Sequence, residues 1–428
     1  MPQSNYIRNI LNLKDKNIIS HGLFLDTRKY KGVYSQFYYA TLTYRPQGCY
    51  QCGHVFDKDI IKHGFKKSTI TLPKISNMNA HLILKKQRYK CRHCGGTFTL
   101  NTPIVNKYCF ISNNTRLSII LDASKKISEC DIAKSNNVSH STVNRIINSS
   151  YEVHNPFHKE LPENLCFDEF KSVKSAVGAM SFIYCNADTS DIFDIVEDRR
   201  LSSLYRYFMR FPQDSRDKVK RVVIDMYKPY MQLIKEVFPK AKIIIDKFHI
   251  VQLISRALNK TRITVMNQNK QNYTKLKRYW KLLLKYRADI DTGEYRRYLC
   301  YKQWMCEEDV LNDLLCIDSE LNNTYELYQD LLRSIKTKNI PKFNRIIDDY
   351  KKGVYKNISG YMITSMATII SHQDMILNTL ESTYHNGVIE GLINKIKVIK
   401  RIAFGYRSFY HFKARILMIQ GLSKLKTA

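Results

Sequence analysis

The sequence predicts a multidomain α+β chain: a small cysteine-bearing ribbon, a helical pair, then a mixed α/β domain interrupted by an all-helical insertion. Three observations carry that prediction. Two C-x-x-C pairs stand early in the chain, two capped apolar helices follow, and three short apolar runs further on each meet an Asp.

Length and charge bound the rest. A chain of 428 residues suggests two to three domains. It carries 69 Lys and Arg against 38 Asp and Glu, a formal charge of +31. Such a surplus speaks of polyanionic partners rather than of fold, with nucleic acid the first of them. Membrane is the weaker partner, because no apolar run approaches the roughly 18 residues of a bilayer span. The start, MPQSNYIRNILNLKDKNI, lacks the pattern of a signal peptide. Eleven cysteines, an odd number, fit free thiols in a reducing cytoplasm better than a disulfide scaffold.

Residues 1–45 read as an N-terminal arm and 46–104 as the ribbon. Cys49 and Cys52 form one knuckle (CYQC), Cys91 and Cys94 the other (CRHC, before Gly95-Gly96). Thiolates two residues apart on a tight turn close on one metal, and two such pairs complete a tetrahedral structural Zn2+ site. His54 and His93 stand close enough to substitute as ligands. Four protein ligands leave no open position for chemistry.

Over 105–152, SECDIAKSNNVSHSTVNRII reads as a helix-turn-helix. Ser128 caps the first helix with Asp131 at its third position, Asn136-Asn137 tolerates the turn, and Ser139 caps the second helix. Ala133, Val138, Val143 and Ile146 fill the core between them. The second helix then exposes His140, Ser141, Asn144, Arg145 and Asn148, side chains able to reach base edges in a major groove of double-stranded DNA.

Residues 160–258 begin the α/β domain. NLCFDEF is a strand ending at Asp168, MSFIYCNADTSDIFDIVEDRR two strands around a polar turn, KRVVIDMYKPY a buried strand ending at Asp225, and AKIIIDKFH another ending at Asp246. Acids at the carboxyl ends of neighbouring strands face the crevice where sites form in open α/β sheets. Residues 259–375 read as the all-helical insertion, with Trp280 and Trp304 expected in its core. Residues 376–428 return to the α/β domain. There Ile389, Leu392, Ile393, Ile396 and Ile399 make a helical apolar stripe, while Glu390, Asn394, Lys397 and Arg401 line another face. Glu390 is the last acid of the sequence. Three converging carboxylates need a divalent cation between them, and hard oxygen ligands suit Mg2+ (or Mn2+).

CFDEF, RVVIDMYKPY, IIIDKFH and VIEGLINKIKVIKRIAFGYRSF, in that order behind a ribbon and a helical pair, resemble the catalytic blocks of DDE transposases, and the bacterial insertion-sequence family ISL3 above all. The resemblance spans nearly the whole chain. It implies a ribonuclease-H-like catalytic core in a bacterial, nucleoid-associated protein. Its metal triad would be Asp168, Asp225 and Glu390 holding two Mg2+ ions, with Asp246, His249 and Asn394 in support. Asp168 is followed by Glu169, and either fits the first ligand position; Asp246 and His249 equally fit a helix cap beside a packed His. The implied reaction is cleavage at the element's terminal inverted repeats and strand transfer into target DNA by two-metal phosphoryl transfer. It would be carried out by a homodimer or higher oligomer on DNA. Lys395, Lys397, Lys400 and Arg401 would clamp phosphates. The alternatives are a non-catalytic zinc/helix-turn-helix regulator, a related ribonuclease-H-like nuclease, and a tyrosine recombinase, for which 29 tyrosines supply candidates.

Overall fold

The computed structural model describes residues 8–55, 57–152 and 154–422. The first seven residues of the expected arm and the last six of the C-terminal segment lie outside this range. The chain divides into two units, one of residues 1–154, 173–175 and 396–428, the other of 155–172 and 176–395.

The first unit is built on a five-stranded sheet of β1 (Ile18–Tyr30), β2 (Val33–Leu42), β3 (Ile60–Ile75), β4 (Met78–Cys91) and β5 (Thr97–Thr99). Its order is β1-β2-β4-β3, with β5 also on β4. The expected arm is thus largely strand. β1 and β2 close through Lys31-Gly32, both at positive φ, in the two-residue turn whose twist suits a hairpin. One face of the sheet buries Ile70, Leu72, Leu82 and Leu84, and Cys49 and Cys91 belong to the same core. Three helices follow, α1 (Asn113–Ala123), α2 (Glu129–Ser135) and α3 (His140–Ser150). Ser128 caps α2 by accepting from Asp131 N–H, Ser139 caps α3, and Asn137 turns the chain at φ 51°. Ile132, Val143, Ile146 and Ile147 are their shared core.

In the second unit the sheet comprises β6 (Asn164–Lys171), β7 (Met180–Asn186), β8 (Ile192–Val196), β9 (Arg221–Ile224) and β10 (Lys242–Ile245), ordered β10-β9-β6-β7-β8. β6, β7 and β8 are antiparallel, whereas β9 and β10 run parallel to β6. Between β8 and β9 lie α4 (Leu201–Phe208) and α5 (Gln213–Asp217); α6 (Lys228–Val237) joins β9 to β10, and α7 (Lys247–Gln268) leaves β10. Parallel neighbours need such a crossover. The next helices are α8 (Tyr273–Arg278), α9 (Trp280–Leu284), α10 (Glu307–Leu315), α11 (Ser319–Lys336), α12 (Ile340–Lys351), α13 (Gly360–Ser371) and α14 (Gln373–Glu381). Their buried Leu321, Tyr325 and Ile346 share one core with Phe167, Phe182 and Ile245 of the sheet.

The insertion is not all helical: Arg296–Arg297 and Trp304–Met305 pair as β11 and β12. Nor are its tryptophans core residues. Trp304 is 61% and Trp280 36% exposed, because Met305 takes the inward position of β12 and Leu282 and Leu283 take that of α9.

Helix α15 (Gly387–Ile402) carries the expected stripe, with Ile389, Leu392, Ile393, Ile396 and Ile399 all buried. From Ile396 onward the chain falls in the first unit. The last helix, α16 (Phe409–Ile419), shows why: its Arg415 is 1% exposed and donates to the carbonyl oxygens of Ala123 and Ile127. Backbone carbonyls at and just beyond the end of α1 are satisfied that way.

Candidate active site

The four cysteines converge. Cys49 Sγ lies 3.7 Å from Cys94 Sγ, and Cys52 Sγ 3.9 Å from Cys91 Sγ. Tetrahedral Zn–S bonds of about 2.3 Å require sulfurs about 3.8 Å apart, so the donor set fits zinc. Gly53 and Gly95, at φ 74° and 70°, make the two knuckles. Backbone N–H groups of Cys52 and then Gln51, aimed at the sulfur, outweigh burial and hold the Cys49 thiol down at about 7. His54 is engaged elsewhere, with Nε2 2.7 Å from Asp59, and its ring stacks on that of His93. All four thiols and neither histidine form the metal-binding group.

The second cluster stands just beyond the carboxyl ends of β9 and β10, beside β6. Ile224 pairs with Ile245, so Asp225 and Asp246 occupy matching positions just beyond parallel β9 and β10. Cys166 pairs with Val223, and that register places Asp168 opposite Asp225. Asp168 does not end β6, which continues to Lys171 against β7; what stops before it is the pairing to β9. His249, in the first turn of α7, presents Nδ1 3.2 Å from Asp225 and 3.4 Å from Asp246.

Asn386 donates from Nδ2 to Asp225 Oδ1 at 2.9 Å. Its own Oδ1 is buried without a partner, and His249 Nδ1 makes no hydrogen bond despite its two acid neighbours. Burial, then the charge of Asp225, raises the Asp168 carboxyl to about 7, although the Glu169 N–H bonded to it pulls the other way. Asp225 is likewise raised, by burial first and by Asp246, against the influence of His249. Raised acids around two orphaned polar atoms fit a divalent cation held by oxygen donors and one imidazole nitrogen.

Two expected members stand differently. Asp225, Asp246 and His249 form a group with ligand atoms within 4.8 Å of one another; Asp168, Asp225 and Glu390 do not. Glu390 is exposed in the first turn of α15, its N–H bonded to the Asn386 carbonyl at 3.1 Å. Glu169 lies elsewhere, paired with Arg199 and accepting from Tyr230 OH at 3.1 Å.

On the candidate reading helix α3, Ser141, Arg145, Asn148 and His140 are exposed. His140 lies 3.5 Å from Glu129. Asn144 approaches Glu129 and His411, while Asn148 bonds Asn144 and faces His411 Nδ1. Lys395, Lys397 and Arg401 are exposed on α15, Lys400 half-buried, and Asn394 exposed. Sequence reasoning missed Asn386, whose signal was an Asn immediately ahead of a helix. It also missed Glu129, His411 and Arg415, which sequence spacing cannot pair.

A family model described as "Transposase", of the DDE type and named for ISL3, matches residues 165–416. A second, "zinc-finger of transposase IS204/IS1001/IS1096/IS1165", matches residues 45–94. Over 216 residues the chain is 27% identical to the "Transposase for insertion sequence element IS1001" of Bordetella parapertussis, covering 49% of this chain and 50% of that one. Over 120 residues it is 37% identical to a Lactococcus lactis subsp. lactis protein named "ATP-dependent protease", covering 27% and 36%. The chain therefore matches half or less of the length of these relatives. The first family model takes in well over half of the chain, and the chain belongs to the ISL3 family of DDE transposases.

Proposed function

We propose that this chain cleaves DNA at the ends of an insertion sequence and joins those ends to target DNA. The reading gives the second unit a ribonuclease-H-like role, on a sheet of three antiparallel strands with two parallel ones beside them. It gives α2 and α3 the role of a helix-turn-helix, supported by their two serine caps and the left-handed Asn137 between them. The observation that carries the reading is the placing of Asp225 and Asp246 at the ends of adjacent parallel strands, with His249 between them.

Asp168 and Asp225 would hold divalent cations, Mg2+ or Mn2+, with Asp246 and His249 beside them and Glu390 as the third carboxylate. The chemistry a bound pair supplies is stabilisation of the attacking and leaving oxygens in an in-line displacement. The residues do the positioning. Asn386 fixes the rotamer of Asp225 and starts the helical turn that carries Glu390. Burial around Asp168 strengthens every charge interaction inside the site. Lys395, Lys397, Lys400 and Arg401 follow on that helix as phosphate contacts, and His140, Ser141, Arg145 and Asn148 are the exposed members of the reading helix. Two ends must be held at once, which calls for two or more chains.

The test is excision of a marked element flanked by its inverted repeats in cells. Wild type should excise it, and Asp225→Ala and Glu390→Ala should not. A DNA-binding regulator would leave excision independent of both residues. A tyrosine recombinase would leave a phosphotyrosyl adduct on DNA and work without divalent metal.

A further inference from the structure

The sheet of the first unit has a second face, away from its Leu and Ile core. On it, register aligns Lys67 with Lys85, Thr69 with Ile83 and Thr71 with His81, while Phe37 of β2 lies beside His81. Two lysines directly opposite on antiparallel strands repel one another unless an anion is shared between them. A polar cavity of about 460 Å³ opens on this face, lined among others by Lys31, Lys67, Thr69, His81 and Asn137.

His81 is the singular member. It is 3% exposed, its ring stacks on Phe37 at 5.2 Å, and Tyr30 meets its edge. Burial, then Lys31, lowers its pKa and favours the neutral ring. Its Nε2 lies 3.4 Å from Asn137 Nδ2, an atom that can only donate. Nε2 is then the acceptor and Nδ1 carries the proton, yet Nδ1 is buried with no partner. A buried N–H left unmet costs its full desolvation, so the site is built for an acceptor. Lys31 stands at the tip of the β1–β2 hairpin, and Asn137 is the turn between α2 and α3.

We infer that this cavity is a phosphate-binding subsite for the DNA backbone: His81 Nδ1–H and the ammonium groups of Lys31 and Lys67 take one phosphodiester beside the helix pair. The inference rests on the proposed DNA-directed function. It assigns the sheet a positioning task, distinct from base reading, because contacts to phosphate set register without carrying sequence.

The test uses full-length, zinc-loaded protein and fluorescence anisotropy with two short random-sequence DNA duplexes, between about 50 and 200 mM salt. Lys67→Ala and Lys31→Ala, both at exposed positions, should weaken binding equally on the two duplexes and lower the salt slope by about 1 each. His81→Phe, which keeps the ring stack but not the donor, should weaken binding about tenfold with the slope unchanged. Lys352→Ala, in the second unit, is the control for bulk charge. Unchanged binding in all three variants, or losses no larger than the control's, would overturn the assignment while leaving the function intact. Inorganic phosphate raising the melting temperature while the variants bind DNA normally would make this a free-anion site, also against it. Wild type that binds neither duplex would overturn this inference and the proposed function together.

Discussion

Asn386 Nδ2 donates to Asp225 Oδ1 at 2.9 Å, so the residue that opens helix α15 is tied to the acid that ends strand β9. The same Asn386 accepts the N–H of Glu390 through its carbonyl. One residue thereby joins the half-buried acid cluster, through its side chain, to the turn that carries the exposed Glu390, through its backbone. Asn386→Ala should cut excision by about 10- to 100-fold, as loss of groups orienting metal ligands does. Its melting temperature should fall little, and Asn386→Gln should recover part of the activity. An unaltered excision frequency in Asn386→Ala would remove the coupling from the account.

The raised Asp168 carboxyl sets a pH dependence. Its folded value, about 7, lies above the ordinary carboxylate value, so the folded chain binds the proton more tightly than the unfolded chain. The stability this contributes is full at low pH and is lost as pH rises through about 7. A divalent cation needs the ionised acid, so Mg2+ should raise the melting temperature more at pH 8 than at pH 5.5. Equal shifts at the two values would mean that Mg2+ does not bind this cluster.

Purified protein should hold about one zinc per chain in the four-cysteine site. Elemental analysis of Cys49→Ser/Cys91→Ser should find it gone. Because thiolates are the ligands and Cys49 ionises at about 7, zinc should be lost more readily as pH falls below that value. A double variant retaining full zinc would contradict the assignment.

Arg415 is buried against Glu129, 3.9 Å away, and donates to two carbonyls. Arg415→Met leaves those two carbonyl acceptors unmet and removes one charge from beside Glu129, which keeps His411, and urea unfolding of the variant should show a loss of about 2 kcal/mol or more. A loss under 1 kcal/mol would show that α16 does not depend on this residue.

Much of the acid cluster is legible in the sequence, because an apolar run followed at once by Asp marks a buried parallel strand and its end, as at Asp225 and Asp246. Asp168 escapes the rule. Its strand loses one neighbour before it and keeps the other beyond it, and a sequence does not show which neighbour stops first. The helix pair is legible through its caps, since Ser128 and Ser139 act on backbone N–H groups three residues away. The strands β1 and β2 are not, since their turn puts Lys31 in a left-handed conformation where Asn or Gly would have signalled it. Least legible is the return of α16, which pairs His411 with Glu129 across 282 positions and draws Asn144 and Asn148 into the same contact.

The most direct test of the central claim is the excision frequency of Glu390→Gln beside wild type, at matched protein levels. Gln keeps the shape of Glu390 and its place in the helix, and removes only the negative charge a cation would require. Excision by Glu390→Gln should fall to the background of an empty vector. Excision at the wild-type frequency would contradict the claim, and would leave the cluster of Asp225, Asp246 and His249 without its third carboxylate.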